Sequence, residues 1–119
     1  MYKIPVDFNL DVLKGATINQ ISFGINLIVI FIEKVGFISI DGSFSFMFEN
    51  NKTYYEEICP NKSDFGLLNL LEKKIVEIIV SEDRENLTLN FEDNVTLTLI
   101  GNKMYETYRL NFNGREIII

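Results

Sequence analysis

Apolar and polar residues alternate strictly in two stretches. Leu87, Leu89 and Phe91 alternate with Thr88 and Asn90, and Val95, Leu97 and Leu99 alternate with Thr96 and Thr98. A period of two with one dry and one wet face predicts antiparallel strands. β-branched and aromatic residues extend that reading to strands over 17–23, 27–32, 37–40, 44–48, 74–80, 86–91, 95–100 and 105–112, with a closing strand over 116–119. Asn113-Gly114 predicts a two-residue type I′ turn before the last strand, because Asn and Gly tolerate positive φ. Asn50-Asn51-Lys52-Thr53 reads as a turn, and Pro60 interrupts regular structure beyond it.

Two stretches carry helical spacing instead. Asn9 is placed to cap a single turn over Leu10 to Lys14, closed by Gly15. Ser63 is placed to cap a helix from about Asp64 to Lys73, with Leu67, Leu70 and Leu71 on one face. Asp64 then lies near the positive end of the helix dipole and Lys73 near the negative end. Gly66 opposes this helix by about 1 kcal/mol relative to Ala if it is interior.

The halves repeat one another. Leu10, Leu13, Ile18 and Ile21 match Leu67, Leu70, Ile75 and Ile78 at an offset of 57. Leu27, Val29, Phe31 and Val35 match Leu87, Leu89, Phe91 and Val95 at an offset of 60. The extra residues fall in the turn over 81–86, where insertions are tolerated. The expectation is a single α+β domain, mainly antiparallel β, built from two helix-plus-β-meander halves packed together, about 10–48 and 67–112.

Composition narrows the chemistry. The chain of 119 residues, 47% hydrophobic, suits one domain with its own core. It has no His, no Trp and one Cys, so imidazole and thiolate zinc sites, Ser-His triads and Cys-His dyads cannot be assembled within it. Cys59, beside Pro60 and without an imidazole to deprotonate it, reads as a small apolar filler. Glu82, Asp83 and Glu85 occupy one turn, and Glu92 and Asp93 the next. Consecutive turns of a meander lie at opposite ends, and neither group has EF-hand spacing, so both read as solvated turns. Asp64 with Glu72-Lys73-Lys74 faintly resembles a metal-dependent nuclease arrangement, but its acids flank a helix where that chemistry needs adjacent strands. No Gly-rich phosphate loop and no basic patch with aromatics is present. The expectation is a protein with no catalytic residues, no metal and no cofactor.

Net charge is −6, divided equally between residues 1–60 and 61–119. That balance repels nucleic acid and anionic membranes, and serves either solubility or a basic protein partner. A single Cys, no apolar leader and a longest apolar run of only Leu27 to Ile32 point to the cytoplasm. Tyr54, Tyr55, Glu56 and Glu57 are the candidate contact with such a partner. On an extended segment one tyrosine points inward and the other is exposed beside carboxylates; alternatively both rings fold over the core edge. Glu106 and Tyr108 share a face of the strand over 104–110 and read as a structural polar anchor. Leu27 to Ile32 is apolar on both faces, as is Ile117 to Ile119, so each is either covered within the fold or the seam of a homodimer.

The repeated Leu-x-x-x-x-Ile-x-x-Ile unit, the Leu-x-Val/Leu-x-Phe strand and the closing Tyr105-Glu106-Thr107-Tyr108-Arg109-Leu110 resemble a family of small uncharacterised bacterial proteins. Members look like two helix-plus-meander units ending in a Tyr-Glu-Ser-Tyr-like strand. The resemblance spans about Leu10 to Leu110, with Thr107 in place of Ser and no Gly in Lys73-Lys74 to match Gly15. It implies no activity. In size, acidity and lack of catalytic groups the chain is also similar in style to immunity proteins, which neutralise toxins in bacterial competition. The functional expectation is a non-catalytic cytosolic protein-binding module, in its most specific form an immunity-type inhibitor of a basic toxin or nuclease. The alternatives are a self-assembling structural or accessory subunit and a small-ligand-binding domain.

Overall fold

A computed structural model describes residues 2–55 and 65–119 of the chain. Among the described residues ten strands follow one another: β1 (Ile18–Phe23), β2 (Ile28–Ile32), β3 (Gly36–Ile40), β4 (Phe44–Phe48), β5 (Asn51–Tyr55), β6 (Ile75–Val80), β7 (Leu87–Phe91), β8 (Val95–Leu99), β9 (Tyr108–Phe112) and β10 (Arg115–Ile118). They form two five-stranded sheets in the orders β1-β2-β3-β9-β10 and β5-β4-β8-β7-β6. Every strand pair is antiparallel. Strands β2, β7, β8 and β9 all alternate buried and half-buried residues, and the buried rows of both sheets join one core.

The expectation of an α+β fold is therefore corrected to nearly all β. Neither anticipated helix forms. Asn9 does accept a hydrogen bond from the Asp11 N–H at 3.0 Å, but only a 3₁₀ turn follows, Asp11–Leu13. Phe65–Leu70 is likewise 3₁₀, and the capping positions Ser63 and Asp64 lie outside the described residues. Segments this short do not repay helix nucleation, and Gly66 weakens the second further. Core demand also favours the tighter turn. At three residues per turn, side chains i and i+3 eclipse, so Leu67 and Leu70 point the same way into the core.

The duplication is written in the topology. Each half contributes a three-stranded meander to one sheet and a two-stranded hairpin to the other: β1-β2-β3 with β4-β5, and β6-β7-β8 with β9-β10. The bulges coincide, between Ile18 and Gln20 in β1 and between Ile75 and Glu77 in β6. The halves meet about an approximate two-fold axis at Thr17 and Lys74, which form an antiparallel bridge. Around it Gly15 N donates to Ile75 O at 2.8 Å and Glu72 N to Ile18 O at 2.8 Å, two equivalent bonds.

Pairing corrects the repeat's register. Ile28 and Leu87 begin β2 and β7 and occupy matching ladder positions, so the offset there is 59 and not 60. The slip matters because one residue exchanges the faces of a strand. It also explains why Leu27 to Ile32 is apolar throughout. Ile28, Ile30 and Ile32 are core, whereas Leu27, Val29 and Phe31 face outward. The segment read as a turn, Asn50 to Thr53, is mostly strand β5. The turn is Glu49-Asn50, with φ of 53° and 65°, the counterpart of Asn113-Gly114 at 54° and 83°.

Glu72 stands where the first half has Gly15, and both are left-handed, at φ of 68° and 82°. A non-glycine residue pays about 1–2 kcal/mol for that conformation, partly offset by the greater unfolded-state freedom of glycine. Glu72→Gly is therefore expected to raise stability by about 0.5–1 kcal/mol, read as a shift of the urea midpoint at constant slope.

Candidate functional site

Because the halves are equivalent, the outer faces of the two sheets can be compared position by position. On the first sheet one row runs Ser22, Val29, Ser39, Arg109, Ile118 and the next runs Gln20, Phe31, Phe37, Asn111, Glu116. The matching rows of the second sheet are Ile79, Thr88, Thr98, Ser45, Tyr54 and Glu77, Asn90, Thr96, Met47, Lys52.

The central strands of the second sheet satisfy themselves. Thr88 and Thr98 hydroxyls lie 3.1 Å apart, Thr96 Oγ1 donates to Asn90 Oδ1 at 3.0 Å, and Asn90 Nδ2 donates to Glu77 Oε1 at 2.7 Å. In the first sheet Val29, Phe31 and Phe37 replace Thr88, Asn90 and Thr96. The two rings sit directly opposite, 5.9 Å between centroids. All three side chains are only half-buried.

Charge is concentrated at one end of this face. A hollow of about 310 Å³ is lined by Leu27, Ser39, Asp41 and Arg109. Arg109 pairs with Glu106 at 3.2 Å. Partial burial raises the Asp41 carboxyl above its usual range, and Arg109 opposes that rise. The turn after β1 and the loop before β9 reach the same end of the sheet and leave Ile25 82% and Met104 82% exposed, with Tyr105 half-exposed beside Glu106. Exposed aromatic and Met side chains among partly paired charges are the composition of protein-contact surfaces.

The anticipated residues are distributed differently. Tyr55 stacks on Phe44 at 4.7 Å, while Tyr54 projects 59% exposed from β5, an edge strand of the other sheet. Glu56 and Glu57 lie outside the described residues, as do Cys59 and Pro60. Glu106 and Tyr108 do not share a strand face, because 101–107 is a loop crossing between the sheets and β9 starts at Tyr108. Asn102 Oδ1 accepts the Met104 N–H at 2.7 Å and holds that loop away from the ladder. Tyr108 is anchored instead by the Glu85 carbonyl, to which its hydroxyl donates at 2.7 Å. Burial pushes that hydroxyl's pKa far up, so it stays a donor.

Ile119 is fully buried, its N–H and carbonyl bonded to Tyr108 O and Thr107 N, and closes the core with Ile117 packed against it, while Ile118 stands on the outer row. The turn carboxylates make local bonds: Asp83 accepts from Ser81 Oγ at 2.5 Å and from Glu85 N at 3.0 Å, which lowers its pKa. Among the described residues no group of carboxylates or Cys is placed to hold a metal ion, and no helix is long and apolar enough to cross a membrane.

Sequence reasoning missed the outer face of the first sheet because the offset of 60 aligned Phe31 with the buried Phe91. The signal that finds it is the outward row itself, Val29 and Phe31 against Thr88 and Asn90. No protein-family model matches the chain, and neither a curated protein nor a solved structure is similar to it.

Proposed function

We propose that the chain is a cytoplasmic, non-catalytic protein-binding module with a basic partner, in its most specific form an immunity-type inhibitor covering a basic toxin or nuclease. The observation that carries this reading is the inequality of two equivalent faces. The two central strands of one duplicated sheet bond their outer polar residues to each other, while the other sheet has half-buried Val29, Phe31 and Phe37 at the matching positions. A solubility role alone does not account for that difference, since apolar replacements on an outer face work against solubility. The net charge of −6, with Glu116 on the outer row and Asp41 and Glu106 balanced in part by Arg109, favours a basic partner and steers its approach.

The test copies the second sheet onto the first. The variant Val29→Thr/Phe31→Asn/Phe37→Thr has the residues that already fold at the matching positions. It is expected to fold normally and to bind a purified partner about a hundredfold more weakly, because buried aromatic contacts carry most of an interface's energy. Titration calorimetry at two salt concentrations reads this. Unchanged affinity in that variant, with loss in Tyr54→Ala, would move the site to β5. Self-association of the parent, abolished by the same triple change, would favour the structural-subunit reading.

A further inference from the structure

The duplication also exposes a second site, at the opposite end of the first sheet. In the second half Lys73 Nζ meets the Asp93 carboxylate at 2.6 Å, and that bond raises the lysine's pKa. Glu92 Oε1 accepts the Lys74 N–H at 3.1 Å. The ion pair links the residues after the 3₁₀ segment to the turn joining β7 to β8.

The first half has the same backbone there. Glu33 N donates to Thr17 O at 2.9 Å, as Glu92 N does to Lys74 O at 3.0 Å. Lys34 and Asp93 share a left-handed φ of 64°. The side chains differ. Ala16 stands at the place of Lys73, and Lys34 at the place of Asp93. The lysine is missing, and the carboxylate is replaced by a cation. What remains is an open cleft of about 510 Å³, whose lining includes Lys14, Glu33, Lys34 and Asn113 together with Val12 and Val35. Lys14 and Lys34 are exposed and pair with no carboxylate among the described residues.

We propose that this cleft binds a small aliphatic carboxylate, whose head group takes the place that the Lys73 ammonium fills in the other half and meets Lys34 and Lys14. This goes beyond the protein-docking reading and stands independently of it. Glu33 also lines the cleft and cancels one of the two positive charges. A single negative charge therefore fits better than a phosphate dianion, and the chain's net charge works against polyanions. Val12, Ala16 and Val35 offer the hydrocarbon tail an apolar wall.

The experiment is a titration of the ¹⁵N-labelled full chain with sodium valerate, against sodium chloride at matched ionic strength. Saturable shifts confined to the amides of Gly15, Thr17, Lys34 and Asn113 are expected. Lys34→Asp, which removes a charge-assisted hydrogen bond and puts a repelling carboxylate in its place, is expected to weaken binding at least about tenfold. Ala16→Lys/Lys34→Asp, which rebuilds the other half's pair, is expected to abolish it, while Lys103→Gln leaves it intact. Shifts no larger than those from chloride, or shifts that persist in the rebuilt pair, would overturn the proposal. Amide spectra also report folding, so a misfolded variant is recognised and Lys34→Gln replaces it.

Discussion

Gly36→Ala is expected to cost about 4 kcal/mol, a large share of the stability of a domain this size. Gly36 opens β3 at a φ of 150°, opposite Phe112 of β9. A Cβ there would lie 1.9 Å from the Asn111 carbonyl oxygen, a backbone atom that cannot move without breaking the β3–β9 ladder. That ladder joins the halves in the first sheet. The matching position in the second half is Val95, at an ordinary φ of −96°, so the demand is local to β3 and not a property of the repeat. Val95→Ala removes two methyl groups and is expected to cost only about 2 kcal/mol. Adding one methyl at position 36 thus destabilises more than deleting two at position 95, an order that urea unfolding of the two variants measures. The reverse order would mean that β3 can shift relative to β9.

Leu97→Ala and Ile38→Ala are expected to cost about 2–5 kcal/mol each, by lost transfer energy and the cavity left behind. Both side chains are fully buried and hold equivalent central positions, Leu97 between Leu89 and Phe46 and Ile38 between Ile30 and Leu110. Because each half lends a hairpin to the other's sheet, neither sheet is complete within one half. Both variants should therefore unfold in one transition, seen by calorimetry and by far-ultraviolet dichroism together. A second transition in either variant would show that the halves fold separately.

Much of the strand layout was legible because it rests on local chemistry. Leu87 to Phe91 and Val95 to Leu99 alternate as a one-sided sheet must, and Asn113-Gly114 turns where its φ freedom allows. The helices were not legible, because helical spacing and a 3₁₀ turn both place Leu67 and Leu70 on one side, and only packing against β4 and the core decides between them. Strand β5 was hidden by the turn-forming residues Asn50 and Asn51, one of which is in the turn and the other in the strand. The candidate site was hidden by one residue of register. Leu27, Val29 and Phe31 match Leu87, Leu89 and Phe91 in chemistry, but pairing places the isoleucines between them against the core. The apolar outer face becomes visible only when pairing fixes which of two hydrophobic rows is inside. Strand alternation alone requires that one of Tyr54 and Tyr55 points inward; pairing with β4 decides that it is Tyr55.

On the proposed function, the outer face of the first sheet meets a basic protein and that of the second does not. Site-specific photo-crosslinking in the native cell addresses it, with benzoylphenylalanine placed at Phe31 or at its counterpart Asn90. A single discrete adduct to a basic protein from position 31, and none from position 90, is the predicted result. Equal labelling from both positions, no adduct from position 31, or an adduct of twice the chain's own mass would contradict it.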